Sequence, residues 1–137
     1  MSIAREMLRR EMLRTTPSGS GASIDQVAQC IDACLECAQA CIACADACLA
    51  EDMVAELRRC ITVDLGCATL CSAAGAILSR RTYADTELTN AALEACREGC
   101  ARCAEECERH AEMHEHCRLC AESCRRCERA CEALRGA

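Results

Sequence analysis

Cysteine recurs along this chain at intervals of three and four residues, and that spacing dictates what the chain can become. One run reads Cys30, Cys34, Cys37, Cys41, Cys44 and Cys48. A second holds Cys96, Cys100, Cys103 and Cys107, and a third Cys117, Cys120, Cys124, Cys127 and Cys131. A sparser run has Cys60, Cys67 and Cys71. Residues three and four apart share one face of an α-helix, whereas a strand would need strict alternation. The thiols therefore occupy the inward stripe of four helices, where Leu and Ile ordinarily sit. The predicted fold is all-α: an antiparallel up-down-up-down four-helix bundle with a cysteine-lined core, preceded by a short N-terminal helix.

Composition agrees that sulfur replaces an ordinary core. The 137 residues include 18 Cys, one Tyr, and neither Phe nor Trp. The formal charge of −6 argues against a nucleic-acid or anionic-membrane partner held by bulk electrostatics. Residues 1–15 form a charged amphipathic helix candidate, and residues 16–21 are the one Pro/Gly/Ser-rich linker, so a leader of residues 1–21 precedes a bundle domain of residues 22–137. The Arg9–Arg10 pair is a faint twin-arginine feature, but Glu11 and Arg14 interrupt the apolar run an export signal needs. No segment reads as the roughly 18 apolar residues of a membrane span. The expected location is the cytoplasm, where thiols stay reduced and metal binding prevails over a disulfide framework.

The helix boundaries are less plainly written. Ser23 with Gln26 is a capping box for the first bundle helix, Asp52 a candidate cap for the second, and Asp85 marks a turn before the third. A break between about 111 and 116 follows from phase: His110 and His114 continue the third stripe, whereas Met113 belongs to the fourth. Extending the stripes gathers Val27, Leu78, Leu93 and Leu134 into a dry plug at one end. The other end collects Cys48, Met53, His110, Met113, His114 and His116. His116 reads equally well as solvated surface. Asp64 falls in the sparse stripe and reads as a carboxylate tilted to the surface, with metal ligation as its alternative. Glu105, Glu106, Arg125 and Arg126 read as solvated helix surface or subunit contacts.

A thiol core gains little as packing, because Leu would bury more apolar area, so the thiols point to a soft metal such as Cu(I), Zn(II) or an iron–sulfur cluster. The first stripe alone rises about 27 Å. Thiols at i and i+4 have Cβ atoms roughly 5–6 Å apart, suiting a two-coordinate ion that bridges them. Zn(II) instead asks four ligands to converge on one point, and Zn(Cys)4 leaves a buried charge of about −2. If each Cu(I) takes two sulfurs and each sulfur bridges two ions, the core is neutral at about one ion per thiolate, of order 15–20 per chain. A zinc or other soft-metal buffer and an iron–sulfur protein stay open as alternatives. Cys30-x3-Cys34-x2-Cys37 formally matches a radical-enzyme cluster motif, but that reading needs a much larger chain and loop-borne ligands. No constellation for catalysis is present, so no enzyme is expected.

The repeated Cys-x3-Cys-x2-Cys runs resemble those of the cysteine-rich, four-helix-bundle copper storage proteins, over residues 24–134. The resemblance implies a bundle that holds many Cu(I) ions and associates as a homotetramer, and the absence of an export signal matches the cytosolic type. It also implies a mouth with non-cysteine ligands, which brings His110 forward, with Met53, Met113 and His114 behind it. Neither the resemblance nor the residues name the protein that delivers or collects the metal.

Overall fold

A computed structural model of the chain describes residues 2–15 and 23–135. Five α-helices follow in order: α1 (Ile3–Thr15), α2 (Ile24–Leu49), α3 (Arg58–Ser79), α4 (Thr86–Glu108) and α5 (Glu115–Arg135), with a 3-10 turn at Val54–Leu57 leading into α3. The expected linker at residues 16–21 lies outside the described residues.

Local signals set most of the boundaries. Ser23 accepts from the Gln26 backbone while the Gln26 side chain accepts from the Ser23 backbone, a complete capping box at the start of α2. Asp85 accepts from Leu88 N at 3.0 Å and opens α4. Asp52 does not cap α3 as expected. The chain enters α3 through the 3-10 turn, preceded by Met53 with no side-chain cap. The break before α5 is present but earlier than its phase suggested. α4 ends at Glu108, and His110 and His114 belong to a tight connection in which the His110 carbonyl accepts from Met113 N and His114 N.

The four long helices close a square in which α2 and α4 each pack against α3 and α5. Sulfur pairs give the directions. Cys30 near the start of α2 meets Cys131 near the end of α5 at 3.8 Å, and Cys60 near the start of α3 meets Cys107 at the end of α4 at 3.7 Å. Neighbours are thus antiparallel, while diagonal partners such as Cys34 and Cys96 run in parallel. The apolar plug forms as expected, with Val27, Leu78, Leu93 and Leu134 all buried. Helix α1 folds against α2 and α3, adds Leu8 to the core and pairs Arg5 with Asp25.

One expectation about membranes needs correction. Two stretches, Ile24–Leu49 and Val54–Ser79, do reach the length and mean hydropathy of a membrane span. Thiols and alanines make them apolar, and the thiol face is the one the bundle itself buries.

Candidate metal centre

All eighteen cysteines face inward, and none is more than 2% exposed. All are free thiols. Their sulfurs form a continuous column along the bundle axis. From the plug, Cys34 meets Cys127 at 3.7 Å, Cys96 meets Cys71 at 3.7 Å, and Cys71 meets Cys100 at 3.6 Å. Further along, Cys37 meets Cys124 at 3.6 Å, and Cys41 meets Cys103, Cys120 and Cys124 at 3.8 Å each. These separations exceed a bond but suit one metal ion between two sulfurs.

Sulfurs within 4.8 Å of one another fall into overlapping quartets. Cys37 and Cys67 belong both to the group with Cys41 and Cys124 and to the group with Cys71 and Cys100. Cys41 and Cys124 are shared again with Cys103 and Cys120. Independent tetrahedral sites would each claim four sulfurs of their own. Shared corners favour bridging thiolates and an ion of low coordination number, such as Cu(I). Burial pushes the thiol of Cys48, at the end opposite the plug, up to about 12. Cysteine binds metal as its thiolate, so a protonated thiol gives up its proton when Cu(I) arrives.

Across residues 23–136 the sequence matches the family model described as copper storage protein. The chain belongs to the copper storage protein family. Solved structures agree. The chain is similar to the copper storage protein of Streptomyces lividans loaded with 10 copper equivalents, at 50% identity and a TM-score of 0.90, covering 97% of this chain and 98% of that one. It is also similar to a five-copper structure of a cytosolic copper storage protein from the same organism, at 56% identity and a TM-score of 0.82, covering 82% of this chain and 94% of the other. No curated protein matches. As a copper storage protein the chain is not an enzyme, and copper is its cargo.

Asp64 requires the largest correction to the site. It is fully buried, not tilted to the surface. Its Oδ1 accepts from Cys103 at 3.1 Å and from Cys107 and Cys120 at 3.4 Å, and Oδ2 from Cys60 at 3.9 Å. The carboxylate thus fills the place of a missing thiol in the α3 stripe and gathers sulfurs from α3, α4 and α5. Burial, reinforced by the neighbouring Cys120, pushes Asp64 from 3.8 up to about 8.

That shift has a testable sign. The folded metal-free protein keeps the Asp64 proton to about pH 8, whereas the unfolded chain releases it near pH 4. The stability this group contributes is complete below about pH 4 and is lost as pH rises through 8. At about 1.4 kcal/mol per pH unit the loss is of order a few kcal/mol by pH 9. Asp64→Asn should therefore flatten the stability profile of the metal-free reduced protein between pH 5 and 9, as followed by urea unfolding. Parallel profiles for the two proteins would show that Asp64 ionises freely.

At the end opposite the plug, His116 is the histidine that meets the thiols. Its Nδ1 lies 3.4 Å from Cys44 Sγ and 3.6 Å from Cys117 Sγ. His110 instead donates from Nε2 to Glu106 Oε2 over 3.0 Å. Glu106 is buried rather than solvated, and also pairs with Arg59 at 3.3 Å. His114 stacks on His116 with ring centroids 5.4 Å apart. Met53 is half-buried, and Met113 is 67% exposed on the outer surface. Sequence reasoning undervalued His116, although it stands four residues before Cys120, at the spacing of the stripe itself. Glu51, which touches both His114 and His116, was not singled out at all.

Proposed function

We propose that this copper storage protein holds Cu(I) as one thiolate-bridged array, at about one ion per cysteine and of order 15–20 per chain. The sharing of sulfurs between neighbouring quartets carries the reading. A column in which each thiolate serves two ions stays neutral, so it can be filled in a dry core without burying charge. Metal enters and leaves at the end opposite the plug, past His116, His110 and His114, with Met53 and Met113 beside them. The work is done in the cytoplasm, where the relative with five coppers is described as residing.

The homotetramer is also part of this reading. Leu35, Ile42 and Leu49 recur every seven residues along α2 and are 54%, 54% and 63% exposed. This stripe on the outer face is the surface we assign to self-association.

The test is an anaerobic titration of the reduced protein with Cu(I) against a chromogenic competitor, with thiols counted beforehand. A break at about 15–20 equivalents is expected, with protons released as the metal binds. Saturation at about four or five equivalents, with Zn(II) behaving alike, would mean closed four-cysteine sites. A brown protein purified in air would mean an iron–sulfur centre instead.

A further inference from the structure

Glu51 lies just past α2, and its one carboxylate meets two histidines carried by the connection between α4 and α5 and by the first turn of α5. Its Oε2 pairs with His114 Nδ1 and lies 3.4 Å from His116 Nε2. A carboxylate oxygen accepts, so the ring nitrogen facing it carries the proton. An imidazole protonated on Nε2 keeps its lone pair on Nδ1, and Nδ1 is the atom of His116 that faces Cys44 and Cys117. The opposite tautomer would set a lone pair against the Glu51 oxygen and aim an N–H at the sulfurs. His114 has no other anchor of this kind: its Nε2 is buried without a hydrogen-bond partner among the described residues. Its ring is held by Glu51 and by the stack on His116, at an interplanar angle of 24°.

We propose that Glu51 is a positioning residue for copper uptake, fixing His116 in the tautomer and orientation that present Nδ1 to incoming Cu(I) beside Cys44 and Cys117. The same carboxylate also pairs with His114 in the α4–α5 connection. The inference rests on the bundle being a copper store, and it assigns Glu51 no copper of its own. A carboxylate behind a metal-binding imidazole holds the ring and raises its basicity, and losing such a partner typically costs about 10–100-fold in metal affinity or activity.

Two readouts test it. In metal-free reduced protein, imidazole 15N shifts should show His116 protonated on Nε2, mixed tautomers in Glu51→Ala, and the native pattern in Glu51→Gln, whose amide oxygen accepts the same bond. In stopped flow, with bicinchoninate-bound Cu(I) as the probe, Glu51→Ala should take up the first equivalents about tenfold more slowly, and Glu51→Gln should restore most of the rate. Adding Glu51→Ala to His116→Ala should slow uptake no further. Glu51→Met keeps the length of the side chain without an acceptor and repeats the test should alanine loosen the turns. Native tautomer and rate in both Glu51→Ala and Glu51→Met would overturn the proposal. So would a Glu51→Gln variant as slow as alanine, or additive slowing in the double variant. Total capacity separates the two levels: a wild-type protein that saturates at four or five ions defeats the storage reading, whereas full capacity with unchanged rates defeats only the role of Glu51.

Discussion

Loading with Cu(I) should raise the resistance of the bundle to unfolding far more than any single substitution could. A site held at about a thousand times its dissociation constant adds about 4 kcal/mol to the folded state. Many such sites sum to tens of kcal/mol, several times the whole stability of an ordinary domain. The empty protein has little in reserve, because its column is thiol rather than Leu or Phe and its apolar plug is confined to one end. We expect the metal-free form to unfold cooperatively in guanidinium chloride and the loaded form to keep its helical circular dichroism under the same conditions. Stripping the metal with a strong Cu(I) chelator should return the first behaviour. Coincident unfolding curves for empty and loaded protein would mean that the metal lies outside the core.

Replacing the mouth histidines should separate the rate of filling from the amount stored. His116→Ala removes the one imidazole whose nitrogen lies within 3.6 Å of two core sulfurs. We expect the first equivalents of Cu(I) to enter about tenfold or more slowly, while capacity falls by about one ion. His110→Ala should have the smaller effect, because its Nε2 is engaged with Glu106 rather than with a thiol. Stopped-flow uptake from a Cu(I) chelator, followed by titration to saturation, measures both quantities. Equal and native-like rates in the two variants would place the mouth at the other end of the bundle.

The sulfur column was legible because a period of three and four survives any uncertainty about where a helix begins. The same period placed Cys60, Asp64, Cys67 and Cys71 on one face, and all four are buried. Residue type then misled where position had not. A carboxylate is seldom buried without partners, and sequence does not reveal that four thiols donate to this one. The mouth was less legible for a different reason. Its residues sit in connections whose geometry depends on where α4 stops, and a stop at Glu108 takes His110 and His114 out of helical phase. Glu51 meets His114 and His116 only through the tertiary fold, across more than sixty intervening residues.

Because the sulfurs are stacked as rungs along four rods, the quantity stored is a matter of length. Seven further residues on each helix would extend the bundle by about 10.5 Å and add two further tiers of thiols at the same spacing. The plug and the mouth would stay as they are, since neither touches the middle of the column. Equally, exchanging one tier for Leu would shrink the reservoir while leaving its doorway intact. A container of this kind can be rescaled by inserting or deleting whole turns in register, with the same sulfur at its rim and at its centre.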